Sequence, residues 1–379
     1  MVIDRTRRTS GVRHLTAIVV LAVFVAASCS SSDDESVASG ADDGGCFAEP
    51  DLEAVTTGAA TGEGTVTLLA HDSFAVSEST FAAFTAETGI EVEVLLGGDG
   101  GTLVNQAVLA GDNPAADVLF GIDNTLLCAG LENSVFVPYE ATDLDNVPAD
   151  LQIDPHHRVT PIDYGDVCAN YWIDAFSNQA EPQSLDDLRS ADFADQFVTQ
   201  NPESSTPGLA FLLATIARYG VDGWEDYWTA LFENGAAVSD DWETAYYGEF
   251  AAGGGDRSVV TSYASSPAAE VFYADPPVAS PPTGVISDTC YRQIEFAGVL
   301  RGTDQPAEAA LLIDFMLSPT FQEDIPLNMF VFPANSTAKV PEVFAEHAEV
   351  IADAVSLDPE LVAANRNDWT ERWTELRRG

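Results

Sequence analysis

A strand, a helix and a second strand are predicted in residues 64–96, which read GTVTLLAHDSFAVSESTFAAFTAETGIEVEVLL. Apolar residues dominate 65–70 and 90–96, two runs of strand length. Between them, the apolar residues of 80–88 recur at helical spacing. A helix that joins two short strands is typical of a βαβ unit, so the folded part of the chain is predicted to begin with a parallel strand pair.

The same alternation continues after this unit. Residues 102–110 and 125–131 are predicted helices on either side of a buried strand at 117–121. Alternating strands and helices indicate a parallel sheet covered by helices, so the fold class is α/β. In such sheets ligands bind where loops leave the carboxyl ends of strands. The candidate site loops are therefore residues 71–74, 97–101 and 122–124.

A second lobe is predicted to begin near Asp163, because 379 residues favour two lobes over one. Further strands are predicted at 166–173, 258–263 and 291–300, and further helices at 184–189, 207–219, 307–317 and 359–378. The last two strands return toward the first lobe. The predicted division is 63–160 with 286–332 for lobe 1, and 161–285 with 333–379 for lobe 2.

The start of the helix at 207–219 is a candidate anion site. Ser205-Thr206-Pro207-Gly208 places hydroxyls before the helix and proline in its first turn, which leaves free N–H groups at the positive end of the helix dipole. An ordinary capped helix has the same local sequence, and taken alone this structural interpretation is the more common one.

The first 28 residues have the features of a bacterial signal peptide. Four arginines between positions 5 and 13 precede an apolar run at 15–27, shorter than the roughly 20 residues of a spanning helix. The run ends in Ala26-Ala27-Ser28-Cys29, a lipobox-like sequence. We expect cleavage before Cys29, lipidation of Cys29, and anchoring to the extracytoplasmic, periplasmic side of the cell membrane. Residues 29–62 are rich in Ser, Gly and Asp and are predicted to form a flexible tether.

Acidic residues dominate the charge of the chain. There are 15 Lys and Arg against 61 Asp and Glu, and the formal net charge is −46 at pH 7. Such a chain repels phosphate backbones, so no nucleic-acid partner is expected. We interpret the acidity as a solvated surface, which favours cationic ligands only weakly.

Four cysteines follow the lipidation site: Cys46, Cys128, Cys168 and Cys290. An even number in an oxidising compartment favours two disulfides, and no CxxC spacing indicates zinc. Three pairings are possible. We favour Cys168 with Cys290, because both lie in apolar strand-like runs that could be neighbours, and Cys46 with Cys128 then follows by elimination.

Eight short segments carry most of the functional signal. They are His71-Asp72-Ser73-Phe74, Gly98-Asp99-Gly100-Gly101, Gly121-Ile122-Asp123-Asn124, Asp163-Tyr164-Gly165, Ser205-Thr206-Pro207-Gly208-Leu209, Asp241-Trp242-Glu243-Thr244-Ala245-Tyr246, Ser262-Tyr263-Ala264-Ser265-Ser266-Pro267, and Phe315-Met316-Leu317-Ser318-Pro319 through Phe332-Pro333-Ala334-Asn335. In this order and spacing, across nearly the whole mature chain, they resemble the periplasmic thiamine-binding proteins.

The resemblance implies a two-lobed type II periplasmic binding protein fold with a ligand cleft between the lobes. It implies a solute-binding protein of an ABC importer, which delivers thiamine or thiamine phosphates to a membrane permease with a separate ATPase. It implies no catalysis, and we expect no cofactor, no metal and a monomer.

The resemblance also implies a set of ligand-binding residues. Asp99, Gly100, Ser205, Thr206 and Trp242 would surround the phosphate or hydroxyethyl end, Tyr246 lies in the same loop as Trp242, and Tyr263 and Phe330 would flank the rings. A cationic thiazolium gains from aromatic faces and from carboxylates. Asp72 or Asp123 could satisfy the aminopyrimidine, although a helix cap and a turn are equally good interpretations of these two.

Three departures from the family pattern predict a thinner aromatic enclosure. His71 and Ala269 stand where enterobacterial members carry Tyr, and Phe330 stands near an expected Trp. Smaller stacking surfaces would lower the affinity or indicate a related ligand.

Two other functions have some support in the sequence. The adjacent Tyr246 and Tyr247 are of the kind that binds ferric iron through phenolates in a similar scaffold. A secreted hydrolase could use a serine of 262–266 with His156 or His157, but the chain has no G-x-S-x-G motif and no H-E-x-x-H spacing.

Overall fold

The computed structural model of the protein describes residues 45–379. The predicted signal peptide, the lipidation site Cys29 and the tether up to residue 44 lie outside the described residues. None of the helices in the described range combines the length and apolar character that crossing a bilayer requires.

Ten strands of the described range form one mixed sheet. Their bounds are β1 Thr65–Ala70, β2 Glu91–Leu96, β3 Val118–Asp123, β4 Phe136–Val137, β5 Thr160–Trp172, β6 Phe197–Gln200, β7 Ala237–Ser239, β8 Val259–Tyr263, β9 Thr283–Leu300 and β10 Phe332–Pro333. The strand order is β2-β1-β3-β9-β5-β8-β6-β7, with β4 beside β9 and β10 beside β5.

Twelve α-helices accompany the sheet within residues 45–379. They are α1 Glu78–Thr88, α2 Gly100–Ala110, α3 Leu127–Glu132, α4 Leu185–Leu188, α5 Thr206–Tyr219, α6 Trp224–Glu233, α7 Ser266–Phe272, α8 Pro306–Leu317, α9 Pro319–Gln322, α10 Ile325–Asn328, α11 Glu342–His347 and α12 Pro359–Arg378. The α/β class predicted from the alternation of strands and helices is confirmed.

Parallel strands lie at both ends of the sheet, and antiparallel strands lie in its middle. β1 is parallel to β2 and β3, as the βαβ pattern predicts, and β6 is parallel to β7 and β8. The central strands β3, β9, β5 and β8 pair antiparallel in that order. The sheet therefore contains two parallel sections, which are joined through the long strands β5 and β9.

The buried apolar side chains form two large groups. The first core contains residues of 46–162 and 294–334, and the second core contains residues of 167–291 and 355–376. Trp369 and Trp373 of α12 are buried in the second core, which accounts for their helical spacing. Among the strands of residues 45–379, β5 and β9 alone contribute buried apolar residues to both cores. The lobe limits given above stay a prediction.

Residues 45–62 are attached to the folded body, although their composition predicts a tether. Cys46 is 2% exposed and is disulfide-bonded to Cys128. The Val55 amide donates to the carbonyl of Pro138 at 2.8 Å, and the Thr61 amide donates to Glu308 at 2.9 Å. The composition does not reveal these contacts, because each partner lies far away in sequence.

Both disulfides have the pairing that the sequence favours, Cys46–Cys128 and Cys168–Cys290. Cys168 lies in β5 and Cys290 in β9. The pairing of these two strands shifts register between Val167 and Ala169. The second disulfide therefore fixes the strand pair at the point where its hydrogen-bond ladder is irregular.

We expect the paired substitution Cys168→Ser with Cys290→Ser to lower the free energy of unfolding by about 2–5 kcal/mol. The bond closes a loop with a sequence separation of 122, so its loss gives the unfolded chain more freedom. Urea unfolding of the oxidised wild type and the double variant measures the difference. Equal midpoints and slopes would show that the bond does not stabilise the fold.

Candidate ligand site

A cavity of about 720 Å³ is lined by loops that extend from both cores. From the first core come 71–75, the start of α2, Gly121 and 328–331. The rest of the lining comes from the start of α5, most of 241–247, parts of 263–273, and Glu295 of β9. Small-molecule sites enclose roughly 300–1,000 Å³, so the cavity has the size of a ligand site.

The cavity brings together eight of the ten residues predicted to bind ligand. They are Asp72, Asp99, Gly100, Thr206, Trp242, Tyr246, Tyr263 and Phe330. Of the three predicted site loops, 71–74 lines the cavity in full and 97–101 lines it in part. No residue of 122–124 lines it, although the preceding Gly121 does. The carboxyl ends of β1 and β2 thus lead into the cavity, as expected for an α/β sheet.

Asp123 and Ser205 do not line the cavity. Asp123 is fully buried, where it accepts hydrogen bonds from the Thr125 hydroxyl at 2.6 Å and from Gln293 at 2.8 Å. These bonds support the structural interpretation of Asp123 as a turn residue. Ser205 precedes α5 and is 2% exposed, and its hydroxyl has no hydrogen-bond partner in the described part of the chain.

The starts of α2 and α5 meet at Asp99. The Asp99 carboxylate caps α2 by accepting from the Gly100 amide at 2.7 Å, and the Thr206 hydroxyl donates to the same carboxylate at 3.4 Å. A Cβ on Gly100 would lie 2.9 Å from the Thr206 side chain, so glycine permits this close approach. Burial raises the pKa of Asp99. Two positive helix ends therefore point at one spot, beside an acid whose charged form is disfavoured by burial.

One side of the cavity is built from Trp242 and Tyr246. Their rings stack with centroids 4.9 Å apart at an interplanar angle of 21°. The Trp242 indole donates to Ser262 at 3.0 Å, and the Tyr246 hydroxyl donates to Glu270 at 2.7 Å. These bonds fix both rings, so Trp242 presents a rigid aromatic surface to a ligand.

A second aromatic group lies around Phe330. This residue has a left-handed backbone with φ of 57°, and its carbonyl accepts a hydrogen bond from Ser265. The Tyr273 ring packs 5.5 Å from the Phe330 ring, lines the cavity and is 64% exposed. The Tyr273 amide donates to the carbonyl of Ala269, so Tyr273 lies one helical turn beyond the missing family tyrosine. Tyr273 therefore adds an aromatic ring that the sequence analysis missed, and its helical spacing from Ala269 is the signal that could have found it.

Acidic side chains dominate the charge of the cavity wall. Among the described residues that line it there are five carboxylates and one histidine, but no Lys or Arg; the carboxylates belong to Asp72, Asp99, Asp241, Glu243 and Glu295. Burial lowers the pKa of His71 to about 4, so its ring is neutral at pH 7. Burial raises the pKa of Glu295 to about 7. The electrostatics of the wall favour a positively charged ligand.

The geometry gives little support to the two other candidate functions. Burial raises the pKa of Tyr246 well above its usual value and its hydroxyl already donates to Glu270, both of which oppose a phenolate ligand for iron. Within 45–379, no group of three or more His, Cys, Asp and Glu residues could hold a metal ion. Ser262 is hydrogen-bonded to Ser266, whereas His156 contacts the carbonyl of Phe47, so no serine–histidine pair forms there.

The sequence profile described as "Bacterial extracellular solute-binding protein" matches residues 113–350. The chain belongs to this family of bacterial extracellular solute-binding proteins.

Proteins that are similar in sequence to this chain have a more specific description than the family. The "Thiamine-binding periplasmic protein" of Escherichia coli (strain K12) is 32% identical over 320 residues, which cover 81% of this chain and 92% of the relative. The protein of the same description from Brucella suis biovar 1 (strain 1330) is 31% identical over 326 residues, covering 83% and 92%. The similarity therefore extends over most of this solute-binding protein.

Solved structures of similar fold include a "Periplasmic thiamin binding protein", with a TM-score of 0.73 and 29% identity over 83% of this chain and 96% of that one. A ferric binding protein from Campylobacter jejuni matches with a TM-score of 0.67 and 16% identity over 82% of this chain and 99% of that one. At 16% identity the likeness shows the fold alone. These comparisons confirm the two-lobed binding-protein fold.

Protonation of His71 should make this solute-binding protein acid-sensitive. Between its pKa of about 4 in the folded protein and 6.5 in the unfolded chain, the unfolded chain binds a proton that the folded protein does not. Stability from neutral His71 is therefore present above pH 6.5 and lost as the pH falls toward 4. We expect wild type to lose up to about 3 kcal/mol more than His71→Phe over this range in urea unfolding. Parallel pH profiles would contradict the burial argument.

Proposed function

We propose that this solute-binding protein captures thiamine or a thiamine phosphate and delivers it to the permease of an ABC importer, which a separate ATPase drives. The observation that carries the proposal is the cavity wall, where fixed aromatic rings and carboxylates meet without any Lys or Arg among its described residues. A flat heteroaromatic cation gains from both kinds of group. The names of the relatives support the same ligand class.

The proposed roles follow the positions of the side chains. Trp242, Tyr263, Phe330 and Tyr273 offer faces to the rings, while Asp99, Gly100 and Thr206 surround the oxygen-bearing end. Ser205 acts through its place at the start of α5, since its hydroxyl is buried away from the cavity. Asp72 lines the cavity and also accepts from the Gly98 amide at 2.9 Å, so it both braces the loop and adds negative charge.

We further propose that the protein is a monomeric carrier without catalytic activity or cofactor. Lipidated Cys29 would hold it at the extracytoplasmic face of the cell membrane, because the sequence before Cys29 is that of a signal peptide with a lipobox-like end. Residues 30–44 would then separate the lipid from the body, which begins at the Cys46–Cys128 disulfide.

Isothermal titration with thiamine and with thiamine monophosphate tests the proposal. We expect saturable binding of both, with the monophosphate bound at least as tightly, because its anionic group can meet the starts of α2 and α5. Thr206→Val should weaken the monophosphate about 3- to 10-fold and thiamine less, because it removes one donor to the phosphate.

Thr229→Val, at an exposed position of α6 away from the cavity, is the matched control and should change neither affinity. Equal weakening of both ligands by Thr206→Val would contradict the anion role of the helix start. If neither ligand gave heat at millimolar concentration, thiamine binding itself would be disproved.

Tyr273 should contribute to the affinity for thiamine. We expect Tyr273→Ala to raise the Kd about 2- to 30-fold, in line with a partly desolvated cation–π contact. Phe272→Ala is the matched control, because this neighbouring ring is 45% exposed but does not line the cavity. The same loss in both variants, measured by titration, would mean that Tyr273 acts only through packing.

A further inference from the structure

Three carboxyl side chains form a row across three neighbouring strands under the cavity. Glu295 of β9 is paired with Asp123 of β3 on one side and with Asp163 of β5 on the other. Directly paired residues on adjacent strands project from the same face of a sheet, with Cβ atoms about 5 Å apart. Only Glu295 lines the cavity, with 14% of its side chain exposed, while the other two are fully buried.

The members of this row differ in their hydrogen bonds. Asp123 accepts from Thr125 and Gln293. Asp163 has no donor for either carboxyl oxygen among the residues the structure describes. Two adjacent buried carboxylates repel each other too strongly for both to ionise, so the pair of Asp163 and Glu295 holds a proton between them. Burial and the neighbouring Glu295 raise the pKa of Asp163 well above its usual value.

No cationic side chain compensates Glu295 in the described part of the protein. His71, in the loop after β1, has its Nε2 atom 3.7 Å from Glu295, but its low pKa keeps it neutral. Asp99 at the start of α2 and Asp123 on the flanking strand β3 add negative charge, whereas Asp163 on β5 is protonated and donates a hydrogen bond to Glu295. Tyr263 of β8 stays protonated, because burial raises its pKa well above the usual value.

The arginine nearest to Glu295 in sequence is already paired with another acid. Arg292, on the same strand as Glu295, is bound to Asp166 at 2.6 Å. Among the described residues no cation reaches Glu295, so a positive charge has to come from the cavity, and it would favour loss of the proton that Glu295 carries.

We propose that Glu295 is a specificity-determining residue: beside a protonated Asp163 it carries a proton of its own for part of the time while the cavity is empty, and it releases that proton to solvent when a cationic ring binds beside it. This inference rests on the proposed function and adds the charge of the ligand that the cavity selects. Because the bound cation takes the place of the released proton, the total charge of the three acids and the ligand stays constant. A neutral ligand of the same shape gains no such exchange and binds more weakly.

The release of a proton can be measured on the wild-type protein. Thiamine is titrated calorimetrically at pH 7 in PIPES and in Tris, two buffers with different heats of ionisation and without phosphate, which could compete at the helix starts. Because the pKa of Glu295 is about 7, we expect roughly half a proton to be released per thiamine, seen as a difference in apparent enthalpy between the buffers. The Kd for thiamine should also fall as the pH rises from 5 to 7, by up to about tenfold per pH unit.

Two variants assign the proton to Glu295. Glu295→Gln keeps the shape but cannot release a proton, so the two buffers should give one enthalpy, with a Kd raised about tenfold. Glu91→Gln, at an exposed position of the edge strand β2, should behave as wild type. Infrared spectra of the empty protein at pH 6 should show the C=O band of a protonated carboxylic acid, and Glu295→Gln should diminish it.

The outcomes separate this inference from the function on which it rests. Tight thiamine binding with one enthalpy in both wild-type buffers would overturn the proton exchange and leave thiamine binding intact. Absence of heat in either buffer would overturn the function. Should Glu295→Gln fail to fold, the wild-type buffer comparison and pH profile decide alone, and a flat profile would count against the inference.

Discussion

The antiparallel pairing of β5 with β9 is the constraint on which the rest of the structure depends. The two strands pair from Thr160 opposite Ala297 to Trp172 opposite Thr283. At one end their side chains are buried in the first core, and at the other end in the second. This hydrogen-bonded strand pair runs through both cores and therefore connects the two lobes. Because Asp163 and Glu295 are partners in this pair, near its first-core end, the acidic floor of the cavity is part of the same connection.

Most elements could be predicted from the sequence where the pattern is local. The strand Thr65–Ala70 and the helix Pro359–Arg378 have the predicted bounds, and α5 begins at Thr206, one residue before its prediction. The strands β6 and β7 were not predicted, because they have only 4 and 3 residues and no clear alternation. The attachment of residues 45–62 also escaped prediction, since it depends on a disulfide and on partners from distant parts of the chain.

The residues of the site also differ in this respect: some have a local sequence signal, and others depend on distant parts of the chain. Loops such as 71–74 could be placed at the cavity because they follow strands of a parallel section. Glu295 was missed, since its importance comes from strand pairs with residues 132 or more positions away, and such pairs leave no mark in a single sequence. Asp123 illustrates the opposite case. Its sequence left a ligand contact and a turn equally open, and its burial and bonds to Thr125 and Gln293 favour the turn.

The charge of the whole chain and the charge of the cavity have different consequences. A net charge of −46 is spread mainly over solvated side chains, whose fields are screened within about 10 Å at moderate salt. Such charge keeps the protein soluble but selects no ligand. Inside the cavity the carboxyl groups are poorly solvated, and each ionises only as far as its neighbours allow. Selectivity for a cation therefore comes from the few buried acids that lack a positive partner, and a less acidic surface would leave it in place.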